Sequence, residues 1–188
     1  MEPSHEIFNA VLNLREGKTI LYPTDTVWGL GCDATNRDAI ANIYRIKQRE
    51  ESKSLIVLVD SFEMLSTYIA TIPEKAKEIL ENASKPTTII YRNPKGFASN
   101  CIAKDNTIAV RIVANEFCQQ MIREFGKPIV STSANISGSP TPLSFSEITP
   151  TILDSVDYIV NLHQEKIAHS SSRILRITEE NTIEVIRD

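Results

Sequence analysis

The chain has 188 residues and a mass of 21.0 kDa, which suits one domain that is large enough to bury a hydrophobic core. Its composition is 41% hydrophobic and 23% charged, with 6 Gly and 9 Pro, and this excludes collagen-like, low-complexity and disordered proteins. The formal net charge of -4 argues against a protein that coats nucleic acid or a membrane surface, although it still allows a local basic pocket. We therefore predict a single domain over residues 1–188.

The cysteines and the N-terminus predict the compartment. Cys32, Cys101 and Cys118 are odd in number and far apart, so they form neither a disulfide framework nor a CxxC pair. Residues 1–6 lack the basic and apolar segments of a secretory signal, and no apolar run approaches the roughly 18 residues of a membrane span. We expect a cytoplasmic protein that does not associate with membranes.

The N-terminal third of the chain alternates helix and strand patterns. Residues 4–16 predict an amphipathic helix with Ser4 as its N-cap, and residues 19–22 predict a strand. A second helix begins at 35–38, which has the form of a capping box, and runs into 47–49. The apolar face of the first helix comprises Ile7, Phe8, Val11 and Leu12.

The remaining elements complete the prediction of fold class. Helices are predicted at 61–70, 73–82 and 117–125, and strands at 55–59, 87–91, 108–112, 128–131, 158–160, 174–177 and 182–186. Strands that alternate with helices and are followed by a strand-rich end indicate an α/β fold with a mixed sheet flanked by helices. The order of the strands in that sheet is not readable from the pattern.

The first segment that could hold a ligand is PTDTVWGLGCDA at 23–34. It is interpreted either as a turn of small residues or as a small polar recognition surface, in which Gly29 and Gly31 let a ligand approach the backbone. Residues 29–34 also match the dinucleotide fingerprint GxGxxA. That interpretation is disfavoured because Pro23 to Trp28 separate the glycines from the preceding strand.

The second segment is a basic cluster between positions 45 and 53. A solvated helix end is the simplest explanation, because cations are favourable at a helix C-terminus. Lys47 and Arg49, however, lie two residues apart where the helix ends, so a change of backbone direction could aim both at one point. Such a pair suits a polyanion, since arginine offers a planar fork and lysine a mobile point charge.

The third segment, STSANISG at 131–138, directly follows a predicted strand. It is either a turn whose hydroxyls bond their own backbone or a cradle for phosphate or carboxylate, because ligands bind beyond the carboxyl ends of strands in α/β sheets. A nucleophilic serine is disfavoured, since there is no GxSxG elbow. The chain also lacks a P-loop and a set of residues with metal-ligand spacing, so no protein-held metal is predicted. Trp28 is either a core residue or a residue that stacks on a base.

Taken in order, the three segments resemble the YrdC-like family, the threonylcarbamoyl-AMP synthases. Residues 23–34 resemble the opening signature, Lys47-Gln48-Arg49 the KxR element and Ser133-Ala134-Asn135 the SxN element. Arg111 resembles the family's arginine on a strand. The resemblance extends from about Leu14 to Ile177 and implies a short, single-domain member with a twisted sheet and a concave, locally positive cavity.

The resemblance implies that L-threonine, bicarbonate and ATP give threonylcarbamoyl-AMP and pyrophosphate. The product would serve the threonylcarbamoyladenosine modification of tRNA through a downstream transfer machinery, with direct tRNA contact left open. ATP is expected as a substrate, and Mg²⁺ is expected to be carried by the nucleotide. Two alternatives are a same-fold paralogue with another acyl or carbamoyl substrate and a non-catalytic RNA-binding module.

The resemblance also implies roles for particular residues. The expected catalytic residues are Lys47, Arg49, Ser133 and Asn135. The expected substrate-binding residues are Thr24, Thr26, Lys53, Arg111, Ser131 and Ser172. Ser133 and Asn135 are placed on the nucleotide side, and Thr26, with Thr24 nearby, and Ser131 on the threonine side. The chain departs from the family pattern at Trp28, Ser54, Val113 and Arg173, and only Pro86-Thr87-Thr88 remains of a Gly-Pro-x-Thr element.

Overall fold

A computed structural model describes residues 3–51, 55–168 and 170–188. The helices are α1 (Pro3–Arg15), α2 (Arg37–Ile46), α3 (Phe62–Tyr68), α4 (Glu74–Glu81), α5 (Glu116–Phe125) and α6 (Pro150–Leu153). The strands are β1 (Ile20–Tyr22), β2 (Gly29–Gly31), β3 (Ile56–Val59), β4 (Thr87–Arg92), β5 (Thr107–Ile112), β6 (Ile129–Ser133), β7 (Tyr158–Ile159), β8 (Arg173–Ile177) and β9 (Ile183–Arg187). In these ranges, no helix is long and apolar enough to cross a membrane.

The nine strands of the described residues form one mixed sheet in the order β7-β1-β2-β6-β3-β5-β4-β8-β9. The β1–β7, β3–β5 and β4–β8 pairs are parallel, and the other neighbours are antiparallel. This order brings β2, which lies within the first signature segment at 23–34, beside β6, which leads into the SxN element. In the register of that pair, Gly29 lies opposite Ser133.

The sheet separates two hydrophobic clusters because neighbouring residues of a strand point to opposite faces. In β3, Val57 and Val59 belong to the cluster that contains α2, whereas Leu58 belongs to the cluster that contains α1 and α5. The same alternation in β1 places Leu21 on one face and its two neighbours on the other. The alternating burial explains why strands such as 55–59 are apolar at every position.

The predicted α/β class and most predicted elements are confirmed, and the differences have local causes. Phe8 and Leu12, predicted on the buried face of α1, are exposed, because Ile7, Ala10, Val11 and Leu14 make the packed stripe. Asn36, not Thr35, is the N-cap of α2, since its side-chain oxygen accepts from the backbone N–H groups of Asp38 and Ala39. The short helix α6 was not predicted from the sequence.

The three cysteines are all buried, and none of them forms a disulfide. Burial raises the pKa of the Cys101 thiol to about 12, which keeps it protonated at neutral pH. These side chains therefore act as small apolar core groups rather than as thiolate nucleophiles or metal ligands.

Candidate active site

A cavity of about 210 Å³ lies where β2, β5 and β6 approach the ends of β8 and β9. Among the described residues, three arginines line it: Arg49, Arg111 and Arg187. The serines Ser131, Ser133 and Ser172 and the threonine Thr26 also line it. We call this space the arginine cavity. It combines fixed positive charge with neutral hydroxyl donors, as an anion-binding site requires.

The hydroxyls of Thr24 and Thr26 have fixed directions in the loop between β1 and β2. Thr24 Oγ1 donates its single proton to the carbonyl oxygen of Val27 at 2.7 Å. It therefore accepts, at 3.0 Å each, from the Thr26 backbone N–H and from Thr26 Oγ1. The oxygen lone pairs of Thr26 remain on the cavity side, where Arg111 Nη1 approaches to 3.4 Å. Thr26 thus offers an acceptor to a ligand, while Thr24 holds the loop.

Arg111 lies on β5 with its side chain almost fully buried. Its Nη1 donates to Asp25 Oδ1 at 2.8 Å, and the other oxygen of that carboxylate accepts from the Ala114 backbone N–H at 3.3 Å. Within the described residues, Arg111 Nε is buried and has no hydrogen-bond partner. Arg111 itself lines the arginine cavity, so its guanidinium supplies a fixed positive charge there.

Lys47 is 1% exposed and directs its ammonium at the backbone that follows β6. Nζ donates to the carbonyl oxygens of Ser133 and Asn135, the latter at 2.7 Å, and the Lys47 carbonyl accepts from the Ser137 N–H at 2.8 Å. Burial, with a smaller effect of the nearby Arg49 charge, lowers the pKa of Lys47 to about 8. We define residues 133–139 as the SxN loop. Lys47 therefore stabilises the SxN loop through hydrogen bonds to its backbone.

The SxN loop is closed by its own polar side chains. Ser133 Oγ donates to Asn135 Oδ1, and Asn135 Nδ2 donates to the carbonyl oxygens of Ile136 at 3.1 Å and Ser139 at 2.7 Å. Asn135 lines a neighbouring cavity of about 270 Å³, whereas Ser133 lines the arginine cavity. The geometry thus places Ser133 at the candidate site and uses the Asn135 amide to shape the loop.

The predicted change of direction after α2 is present, but it separates Lys47 from Arg49. Gln48 adopts a left-handed conformation with φ 48°, and the Arg49 N–H returns to the Tyr44 carbonyl at 2.9 Å. Arg49 enters the arginine cavity, while the Lys47 ammonium is turned beneath the SxN loop. The structure therefore does not direct Lys47 and Arg49 to one point, as the sequence suggested, but to two different places. Lys53 and the Ser54 departure lie outside the described residues.

Arg187 is a residue of the site that the sequence did not predict, and it contacts Ser172, which was expected there. Arg187 Nη2 donates to the Ser172 carbonyl at 2.7 Å and to Ser172 Oγ at 3.2 Å, and Nε donates to the same carbonyl at 2.9 Å. Ser172 Oγ also lies 2.9 Å from the hydroxyl of Thr88, which is fully buried. Burial and the Arg111 charge lower the pKa of Arg187. Its one sequence signal was a basic residue directly after a predicted strand.

A comparison of this sequence with known families identifies the family of the chain. The Sua5_yciO_yrdC family profile, described as telomere recombination, matches residues 13–188. The chain belongs to the Sua5/YciO/YrdC family. The threonylcarbamoyl-AMP synthase of Pseudoalteromonas translucida (strain TAC 125) is 36% identical over 164 residues, which cover 86% of this chain and 88% of that protein.

Solved structures of the Sua5/YciO/YrdC family share the fold. The crystal structure of P. abyssi Sua5 complexed with L-threonine matches with a TM-score of 0.87 and 28% identity, covering 100% of this chain and 54% of that chain. The crystal structure of E. coli YciO matches with a TM-score of 0.86 and 26% identity, covering 100% of this chain and 90% of that chain. The chain thus spans about half of the P. abyssi protein. The predicted family membership is confirmed.

The glycines of the family's opening signature serve packing more than ligand access. A Cβ on Gly31 would lie 2.2 Å from the Val130 carbonyl oxygen and 2.9 Å from the Tyr22 ring. Gly31 is therefore required by the neighbouring strand rather than by a ligand. Gly29 borders the arginine cavity, where a Cβ would meet Ser131 Oγ at 3.0 Å. The predicted turn at 23–34 is thus interrupted by the short strand β2.

A second cavity of about 360 Å³ adjoins the arginine cavity in this family member. The two spaces share the wall formed by residues 26–28, and we call the second one the tryptophan cavity. Trp28 is 4% exposed and packs on Phe145 with ring centroids 4.9 Å apart. Trp28 is a core residue that also lines both cavities.

The carboxylates near the site are engaged by cations. Asp25 pairs with Arg111, and Asp33 pairs with Lys127 at 2.9 Å. In the described ranges, there is no group of three or more His, Cys, Asp or Glu residues with the geometry to hold a metal ion.

Proposed function

We propose that this chain is an L-threonylcarbamoyladenylate synthase, which makes threonylcarbamoyl-AMP and pyrophosphate from L-threonine, bicarbonate and ATP. The observation that carries the proposal is the arginine cavity, which lies beside the SxN loop in a member of the Sua5/YciO/YrdC family. The proposal is supported by a relative that bears the name threonylcarbamoyl-AMP synthase and by the likeness to a Sua5 structure complexed with L-threonine.

The charges in the arginine cavity suit every step of this reaction. The neutral amino group of L-threonine adds to the carbon of bicarbonate and water leaves, giving an N-carboxylated amino acid. A carbamate oxygen then attacks the α-phosphorus of ATP, and the bond between that phosphorus and the pyrophosphate oxygen breaks. Because bicarbonate, the carbamate and ATP are all anions, fixed cations such as Arg49, Arg111 and Arg187 lower the cost of bringing them together. A protein nucleophile is not needed, since positioning and charge stabilisation dominate such transfers.

The neighbouring hydroxyls divide the cavity into two ends. Thr26 and Ser131, with Arg111, form the end that we assign to L-threonine. Thr26 Oγ1 accepts from Arg111 Nη1 through one lone pair, and its second lone pair can accept from an ammonium or amine. Ser133 and Arg49 form the end that we assign to the phosphates of ATP. Ser172, whose hydroxyl is hydrogen-bonded with Thr88 and Arg187, lines the same cavity.

Two of the expected catalytic residues, Lys47 and Asn135, stabilise the SxN loop and do not line the arginine cavity. The side chains of Lys47 and Asn135 form their hydrogen bonds with atoms of the SxN loop, so we assign both residues to holding Ser133 in place. Mg²⁺, if bound with ATP, would be held by the triphosphate and water, and it would supply further charge to the departing pyrophosphate. The product would be consumed in the cytoplasm by the machinery that modifies tRNA.

Pyrophosphate release tests this proposal. With the purified chain, ATP and Mg²⁺, we expect release that requires both L-threonine and bicarbonate, measured in carbon-dioxide-free buffer with and without added bicarbonate. Release that does not depend on L-threonine contradicts the proposal, and turnover with a different amino acid indicates the paralogue instead. RNA binding that weakens steeply with salt, without any turnover, indicates the RNA-binding module.

A further inference from the structure

Asp25 borders the tryptophan cavity and contacts Arg111, which borders the arginine cavity. Its carboxylate borders the tryptophan cavity, the Arg111 guanidinium borders the arginine cavity, and Thr26 borders both. The two charged side chains are 11% and 4% exposed, so water screens their attraction little. The sequence separation of 86 residues means that this contact joins the β1–β2 loop to the central strand β5.

The carboxylate holds Arg111 by one of its two oxygens and the main chain by the other. Oδ1 accepts from Arg111 Nη1 at 2.8 Å, while Oδ2 accepts from the backbone N–H of Ala114 at 3.3 Å. A guanidinium is a rigid planar fork, so fixing one terminal nitrogen sets the plane of the whole group. The orientation that Asp25 imposes is therefore the one in which the Arg111 guanidinium borders the arginine cavity.

We propose that Asp25 is a positioning residue for the amino-acid end of the site, acting through Arg111. This inference rests on the proposed function. Asp25 touches no reacting group in it; it orients the arginine that receives the carboxylate of L-threonine and keeps Thr26 within reach of the same nitrogen. Charge-assisted hydrogen bonds depend strongly on their geometry, so a guanidinium released from Asp25 binds that carboxylate less well.

The kinetic consequence is selective for one substrate. Asp25→Ala is expected to raise the KM for L-threonine about 10-fold or more, because the substrate loses the equivalent of one charge-assisted hydrogen bond. The KM for ATP is expected to change by less than about 3-fold. Asp25→Asn keeps a side-chain oxygen that can accept from Arg111 Nη1, so it is expected to recover part of the lost affinity. A merely structural role would lower the active fraction for both substrates and leave both KM values unchanged.

Asp33 provides the matched control, because it is also a buried carboxylate. It pairs with Lys127 at 2.9 Å and accepts from the N–H and the hydroxyl of Thr35, at 2.8 and 2.7 Å. Asp33→Ala is therefore expected to destabilise the fold to a similar degree while leaving the KM for L-threonine unchanged. Thermal unfolding of each variant measures the first effect, and pyrophosphate release at varied L-threonine measures the second.

Direct calorimetric titration of L-threonine into the wild-type chain separates this inference from the proposed function. A wild-type chain that neither binds L-threonine nor releases pyrophosphate overturns the proposed function. Wild-type binding and turnover, together with equal KM values for L-threonine in the wild type and Asp25→Asn or Asp25→Ala, overturn the role of Asp25 alone. The Asn variant keeps the test decisive where the Ala variant does not fold.

Discussion

The buried ammonium of Lys47 should make the stability of the fold depend on pH. Burial lowers the pKa of Lys47 from its ordinary value of 10.5 to about 8. Between these two values, the unfolded chain binds the proton and the folded chain releases it. The free energy of unfolding therefore rises with pH in this window, because stability increases wherever the unfolded state binds more protons.

The size of the effect follows from the two pKa values of Lys47. Their difference of about 2.5 pH units corresponds to about 3 kcal/mol when the whole window is crossed. Between about pH 7 and about pH 10, the expected gain is about 2.5 kcal/mol. The loop is not released by this change, because a neutral amine still has two N–H groups for the carbonyls of Ser133 and Asn135.

Urea unfolding of the wild type and of Lys47→Met measures the effect. Methionine has a similar length but does not titrate, so the difference in free energy of unfolding between the two proteins isolates Lys47 from all other groups. Lys104→Met, at an exposed position, is the control and should show a difference that does not vary with pH. Parallel pH profiles for the wild type and Lys47→Met would refute the reasoning that burial controls this proton.

Two further variants test the site and the sheet. Arg49→Ala should lower the rate of pyrophosphate release at least about 100-fold with little effect on the free energy of unfolding, because Arg49 acts on charge in the cavity. The control is Arg45→Ala, at an exposed position of α2. Near-normal turnover of Arg49→Ala, or an equal loss of rate in Arg45→Ala, would show that Arg49 is not part of the site. Gly31→Ala should lower the free energy of unfolding by about 3 kcal/mol, because its Cβ meets a backbone oxygen at 2.2 Å. The control is Gly126→Ala, because a Cβ at Gly126 would meet no atom within 4 Å. Its free energy of unfolding should fall by only about 1 kcal/mol, the cost of a left-handed backbone conformation for alanine. Equal losses in the two variants would contradict the steric explanation.

Local sequence patterns were sufficient for the element types and for three of the site segments. The helical spacing of α5, with buried Phe117, Met121 and Ile122, and the continuously apolar β3 both depend only on residues close together in the chain. The periodicity of α1 was less decisive, because two helical faces contained apolar residues and the position of α5 determined which face is buried. Phe8 and Leu12 are consequently exposed.

Side-chain direction at the candidate site could not be predicted in the same way. Lys47 and Arg49 form one motif in the sequence, yet the left-handed Gln48 sends the first under the SxN loop and the second into the arginine cavity. Arg187 belongs to no motif segment and reaches the cavity only because β9 pairs with β8 at the edge of the sheet.

The amino-acid sequence by itself determined that the chain is α/β, where most of its helices and strands lie, and which three segments resemble the family signatures. These properties arise from residues that are near one another along the chain. Only the tertiary structure decided that Asp25 holds Arg111 across 86 residues and that Lys47 supports a loop rather than lining the cavity. The physical reason is that such contacts depend on strand order and register, which are fixed by the packing of the whole sheet and not by any local periodicity.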